Sequence, residues 1–178
     1  TAKTAITTID AYSLAKDYSL VLLKKQIELD ASPQEVEFSL NDSCLLLKEL
    51  LEEKDYDMET SEADISLEKE GDTWKVVHTA ELDSLLTGNF ASYMSDAQLL
   101  SPSEIVDAHF GTIKDFDSEQ LKIYLSLDHL VETDDSYNNS LSMAIAQQID
   151  KAFDYEITEE EQEGSTAAVQ VSVTSPDF

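Results

Sequence analysis

The chain has 178 residues, 42% of them hydrophobic, which is enough for one domain with a buried core and argues against wholesale disorder. Asp and Glu number 38 against 11 Lys and Arg, so the net charge is −27. Such a surface repels phosphates and anionic membranes, and we expect no nucleic-acid partner. It suits a basic protein partner. Because no apolar run approaches the length of a membrane span, we expect no membrane insertion of this chain.

The first part of the chain is predicted to form a strand followed by two helices. Lys3–Ile9 is rich in Thr and Ile, the composition of a strand, and residues 11–28 carry the broad apolar stripe of a helix. Ser32-Pro33-Gln34-Glu35 has the form of a capping box with proline at the first helical position. A second helix is therefore expected to start there.

The apolar stripe of this second predicted helix contains the single cysteine of the chain. Its members are Val36, Leu40, Cys44, Leu47 and Leu51. Val36, Phe38 and Leu40 also alternate as in a strand, but the capping box favours the helix. We expect Cys44 to be buried as a small apolar side chain, and one cysteine excludes a disulfide framework within the chain.

The clearest pattern in the sequence is a hairpin followed by a short helix. Residues 63–68 alternate between apolar and polar side chains, as in a half-buried strand, and residues 74–79 return in the same way. Gly71 lies in the turn between them, where a positive φ is needed. Leucines at helical spacing follow in residues 82–86, and Gly88 is expected to cap that helix at its C-terminus. The acidic residues 56–62 are predicted only to lead into this hairpin.

The second half of the chain is predicted to begin with two capped helices. Residues 91–100 are weakly patterned and are expected to form a linker. Ser101-Pro102-Ser103-Glu104 is a second capping box, and Asp117 is expected to cap a short helix that runs through Leu125. The apolar stripe of the first helix comprises Ile105, Val106, His109, Phe110 and Ile113.

A loop, a helix and a hairpin are predicted to complete the chain. Residues 132–140 are polar and are expected to form the loop, and residues 141–153 have the periodicity of a helix. A strand begins at Tyr155 and turns at Glu163-Gly164, and residues 167–173 return. We therefore expect an α+β fold with helices on one face of a curved antiparallel sheet.

The two ends of the chain indicate a repeat. Thr7–Tyr12 and Val173–Phe178 each close a β-segment and are similar in residue type. If the repeat is real, residues 1–94 are the second half of one repeat and residues 95–178 the first half of the next. Because an isolated hairpin is marginally stable, we expect the two halves to form one packed unit, within one chain or as a domain-swapped homodimer.

These motifs resemble the nuclear transport factor 2-like superfamily, a cone of helices on a curved sheet, and within it modules of unknown function in secreted lipoproteins of Gram-positive bacteria. The resemblance lies in the Gly71-x-x-Trp74-Lys75-Val76 hairpin joined to Leu86-Thr87-Gly88-Asn89, and in the helix opening Pro102–Val106, with the halves in swapped order. It implies an extracellular or surface-anchored protein. The chain begins at Thr1 without a signal sequence, so we expect it to be cut from a longer one.

Four residues are candidates for binding a ligand. His109 lies on the stripe of its helix, and the family resemblance implies a pocket between such a helix and the sheet. His78 is predicted to share a strand face with Trp74, and Tyr124 lies on the next helix. A catalytic pair of His109 with Asp83 or with Tyr124 can be imagined, but a histidine with a structural partner is the simpler interpretation.

The sequence predicts neither a metal site nor a cofactor. Asp134–Asn139 is similar to the start of a calcium-binding loop, but the sixth position is Asn139 rather than glycine and the twelfth is Ile145 rather than glutamate. Phosphate-binding loops and zinc-ligand spacings are also missing from the sequence.

Three functions remain open from the sequence. The favoured one is a non-catalytic extracellular or cell-surface module that binds a small ligand or a protein partner. The second is an isomerase, dehydratase or hydrolase with a pocket between helices and sheet. The third is a structural repeat without a ligand. A fold alone does not decide between them, because function depends on the site.

Overall fold

The computed structural model describes residues 1–34, 36–129 and 135–177, and the side chains of all of these except 135 and 136. Glu35 of the first predicted capping box, Asp134 of the rejected calcium motif and Phe178 of the predicted repeat lie outside the described residues. The helices are α1 Ala11–Asp30, α2 Leu40–Glu53, α3 Ala80–Leu86, α4 Phe90–Met94, α5 Pro102–Lys114, α6 Ser118–Tyr124 and α7 Asp135–Ala152. The strands are β1 Ala2–Ile9, β2 Met58–Ile65, β3 Leu67–Glu70, β4 Thr73–Val76, β5 Asp154–Glu163 and β6 Thr166–Thr174.

The fold class is α+β, as predicted. The strands pair in twos, β1 with β2, β3 with β4 and β5 with β6, and every pair is antiparallel. Within the described residues these are three separate two-stranded sheets rather than the single curved sheet that we expected. Each strand therefore has one paired edge and one open edge.

The chain forms two compact units, and α1 and α2 each contribute residues to both. Unit 1 contains residues 1–19 and 44–99, and unit 2 contains residues 20–43 and 100–178. The mutual dependence of residues 1–94 and 95–178 stays a prediction.

Unit 1 is built on the long ladder between β1 and β2. Ala2 lies opposite Ile65 and Ile9 opposite Met58, so the ladder runs the full length of both strands. Residues 58–62 of the acidic segment before the hairpin are therefore part of β2, and the expectation that this segment only leads into the hairpin was wrong. The buried apolar side chains of this unit are Ala11, Leu14, Ala15, Tyr18, Leu82 and Leu99.

Gly88 caps α3 at its C-terminus, as the sequence predicted, and the cap has Schellman geometry. The N–H of Gly88 donates to the carbonyl of Leu85 at 3.2 Å, and that of Asn89 donates to the carbonyl of Ser84 at 2.7 Å. Gly88 has a φ of 60°. Helix α4 follows within two residues, so the prediction that residues 91–100 form only a linker was wrong.

Helix α2 begins later than the sequence predicted. Residues 36–39 have no regular secondary structure, and the first helical residue is Leu40. Ser39 is the residue that caps α2, because the Asp42 carboxylate accepts from the Ser39 N–H at 2.8 Å and the Ser39 Oγ accepts from the Asp42 N–H at 3.3 Å. Cys44 is exposed, so the prediction that it is buried was also wrong.

Unit 2 has the capped helices that the sequence predicted. Ser101 and Glu104 form the capping box of α5, and Asp117 with Gln120 forms that of α6. Helix α7 already begins at Asp135, so the predicted loop is wrong over residues 135–140, while residues 132–134 lie outside the described residues. The core comprises Ile27, Ala31, Ile113, Phe116, Leu121, Leu127 and Ala146.

The C-terminal hairpin, β5 with β6, is attached to α5 at its base. Tyr155 lies opposite Val173, and the register shifts between Ile157 and Glu159, which indicates a bulge. The Lys114 ammonium lies 2.6 Å from the Asp154 carboxylate, so an ion pair links the end of α5 to the start of β5.

We predict that Gly88→Ala destabilises the protein more than Gly71→Ala does. Both glycines have φ close to +60°, so both substitutions force an L-residue into the left-handed region, at a cost of about 1–2 kcal/mol. A Cβ on Gly88 would lie 2.9 Å from the Ala11 Cβ, whereas a Cβ on Gly71 would meet no atom within 4 Å. We expect Gly88→Ala to lose roughly 1–3 kcal/mol more, as measured by urea unfolding. Equal losses of unfolding free energy in the two variants would contradict the close packing of Gly88 against Ala11.

Candidate functional site

Helix α5 holds His109 at a defined position in unit 2. The capping box sets its first turn, where the Ser101 N–H donates to the Glu104 carboxylate at 2.9 Å. Ala108, Thr112 and Ile113 are buried and orient the helix, and the Thr112 hydroxyl donates to the Ala108 carbonyl at 2.7 Å. His109 follows Ala108 and is half-buried. Its imidazole is therefore placed at the margin of the core.

The structure brings His109 and Tyr124 together. The Tyr124 hydroxyl oxygen lies 3.0 Å from His109 Nε2, a hydrogen-bonding distance between α5 and the last residue of α6. This pairing is one of the two that the sequence left open for His109, although no spacing in the sequence requires it. Two of the four candidate residues are thus in direct contact.

Burial and a nearby charge define the chemistry of Tyr124. Burial raises the pKa of the Tyr124 phenol, and the negative charge of Asp30 raises it further by a smaller amount. The phenol therefore keeps its proton at neutral pH and can donate it to an unprotonated Nε2. A tyrosine that serves as a catalytic base needs the opposite shift.

Aromatic rings surround this pair. His109 meets Phe110 edge-on, with ring centroids 5.9 Å apart, and Phe116 meets Tyr124 in the same way at 5.6 Å. Phe110 in turn stacks on Phe153, with ring planes 9° apart. The neighbours of the pair are therefore mostly apolar rings, the surroundings of a structural histidine with a satisfied partner.

Trp74 and His78 lie in unit 1 and are both exposed. Trp74, on β4, keeps 63% of its surface accessible. His78 follows β4, and its Nδ1 lies 3.6 Å from the Asp83 carboxylate, with both side chains largely solvated. Asp83 therefore has His78 as its histidine neighbour, rather than His109.

The four candidate residues thus lie two in each unit, and of these described residues only His109 and Tyr124 are shown in contact. His109 and Tyr124 are in unit 2, whereas Trp74 and His78 are in unit 1. That these residues bind a ligand stays a prediction.

Two side chains of unit 2 that were not among the predicted site residues, Tyr155 and Lys122, also make polar contacts. The Tyr155 hydroxyl donates to the Asp107 carboxylate at 2.8 Å. The Lys122 side chain, only 9% exposed, lies 3.1 Å from the Glu119 carboxylate, and its ammonium donates to the Asn139 side-chain oxygen at 2.9 Å. The Glu119–Lys122 spacing is a helical signal that could have been noticed. The other contacts join residues distant in sequence.

Two further findings concern metals and membranes. Among residues 1–34, 36–129 and 135–177, no group of three or more His, Cys, Asp or Glu is arranged to hold a metal ion. In the same part of the chain, the helices are too short or too polar to cross a membrane.

Comparison of the chain with protein-family models, with curated proteins and with solved structures finds no significant match. The resemblance to the nuclear transport factor 2-like superfamily therefore stays a prediction.

We predict that Tyr124→Phe lowers the free energy of unfolding by about 1 kcal/mol, because it leaves His109 Nε2 without its partner. The matched control is Tyr137→Phe, which removes the same hydroxyl from a side chain that is 79% exposed. We expect the control to stay within about 0.5 kcal/mol of the wild type in urea unfolding. If both variants lose the same free energy of unfolding, the hydrogen bond between Tyr124 and His109 contributes nothing to stability.

A second prediction concerns pH and Tyr155. Burial and the hydrogen bond to Asp107 raise the pKa of Tyr155 from 10.0 to about 12. The folded protein therefore keeps a proton that the unfolded chain loses, and this contribution to stability is full below pH 10 and is lost as the pH rises through about 12. The advantage of the wild type over Tyr155→Phe should shrink across this range in urea unfolding. A constant difference would contradict the raised pKa.

Proposed function

We propose that this chain is a non-catalytic interaction module, exposed outside the cell, that binds a protein partner through one face of the β3–β4 hairpin. We call this surface the hairpin face, and it consists of Leu67, Lys69, Trp74 and Val76. The observation that supports the proposal is the exposure of Trp74. The extracellular location rests on the sequence resemblance to secreted lipoprotein modules.

The register of β3 and β4 places these four side chains on one face. Trp74 lies opposite Lys69 and Val76 lies opposite Leu67, and directly opposed residues project to the same side of an antiparallel pair. Trp74 is 63% exposed, Val76 48% and Leu67 36%. Every residue of the two strands is exposed. A face with three apolar side chains, including a tryptophan, is thus open to water.

An open two-stranded hairpin of this kind is stabilised by a partner that covers it. A hairpin alone in water is marginally stable at best. Burying a large apolar side chain contributes about 1.5–3 kcal/mol, and tryptophan is enriched among the residues that dominate binding energy at protein interfaces. Covering the hairpin face would therefore stabilise both the hairpin and the complex.

A protein partner fits this surface better than a small ligand. Small-molecule sites are concave and bury most of the ligand, whereas the hairpin face lies on a two-stranded ladder that is exposed throughout. An enzymatic role is less well supported by the other candidate pair. His109 is bonded to a phenol rather than to a carboxylate, and the pKa of that phenol is raised.

The proposal predicts a position-specific crosslink. Trp74 is replaced by a photoreactive phenylalanine analogue in the organism that makes the protein, and the products are separated by mass after irradiation. We expect a protein adduct from position 74, because a side chain there would be covered by the partner.

The matched control places the same photoreactive group at Thr73. This neighbour is equally part of β4 and exposed, but its side chain projects to the opposite side of the hairpin. We expect no adduct of that mass from position 73. An absence of adducts from position 74, or the same adduct from both positions, would refute the proposal.

A further inference from the structure

Helix α2 carries several apolar side chains that stay exposed in the described structure. Its 14 residues include six leucines, yet none of the residues of the helix is buried. Leu40 is 79% exposed, Leu45 54% and Leu51 45%. Helices of this length are marginal in water unless an apolar face is packed. An exposed face of this kind indicates a binding surface.

Four of the apolar residues lie along one line of the helix. Leu40, Cys44, Leu47 and Leu51 are spaced by four, three and four residues, the spacing that places side chains on one face. We call them the α2 stripe. Leu40, Cys44 and Leu51 are exposed, and Leu47 is half-buried. The surface is narrow and continuous, as a second helix packed alongside requires.

Acidic residues flank the α2 stripe near the C-terminus of the helix. Glu49, Glu52 and Glu53 are exposed, and Lys48 forms an ion pair with Glu52 at 3.1 Å. The last turn carries no basic residue. Carboxylates at this end are unfavourable with the helix dipole, so a cation placed there from outside would be favourable.

These observations decide which partner fits. A second copy would bring another net charge of −27 to an already acidic surface, which opposes association. We propose that the α2 stripe is a docking site for an amphipathic helix of a partner protein, one whose apolar face is flanked by Lys or Arg. The α2 stripe and the hairpin face share no residue, so either proposal can fail without the other.

The test uses a fluorescent synthetic peptide of leucine and lysine that forms an amphipathic helix, titrated with the whole chain and followed by anisotropy. A peptide with glutamate in place of lysine tests the charge requirement. We expect the lysine peptide to bind, and Leu51→Asn to weaken it about tenfold or more, the factor that losing one buried leucine implies.

The matched control is Leu86→Asn on α3. Leu86 is 53% exposed, and the substitution leaves the net charge unchanged, as Leu51→Asn does. We expect Leu86→Asn to bind the lysine peptide like the wild type. Because both leucines are exposed, both variants should fold, and circular dichroism checks this.

Three results would overturn the proposal. Equal binding of the lysine peptide to both variants would mean that charge alone holds it, and no binding to the wild type would mean that the stripe takes no basic helix. The third result would come from sedimentation of the chain without peptide. A dimer that Leu51→Asn dissociates would mean that a second copy of the chain covers the α2 stripe.

Discussion

The burial of α1 is the interaction on which both cores depend. Its first half contributes Ala11, Ala15 and Tyr18 to the buried side chains of unit 1, and its C-terminal half contributes Ile27 to the core of unit 2. Ala15 is fully buried, so neighbouring atoms leave no room for a larger side chain there. The same helix explains why a division of the chain near residue 94 does not coincide with the two units. Residues 95–178 contain most of the core of unit 2 but lack Ile27.

Charge and apolar exposure act together in this protein. The net charge of −27 makes copies of the chain repel one another, which keeps exposed apolar faces from associating with themselves. The α2 stripe and the hairpin face can therefore remain uncovered in water. The same negative charge attracts a basic partner. Lys69 lies opposite Trp74 on the hairpin face and is a cation on an acidic molecule.

The elements that the sequence predicted well are those defined by local chemistry. The caps at Ser101, Asp117 and Gly88 each depend on residues within a few positions, and the structure has them where the sequence placed them. The start of α2 was mispredicted because the same local capping chemistry occurs at two places in the sequence. Ser32 and Ser39 both begin plausible capping boxes, and only the hydrogen bonds between Ser39 and Asp42 show which one is used.

Contacts between distant residues explain what the sequence could not predict. Thr7 and Thr60 face each other across the β1–β2 ladder although they are 53 residues apart, and no local pattern pairs them. Alternation shows which residues share a strand face, but not whether anything covers that face. Ile65 and Trp74 belong to equally regular alternations, yet Ile65 is half-buried and Trp74 is exposed. Exposure is the property that separates a covered strand face from an open one, and it depends on packing that only the three-dimensional structure contains.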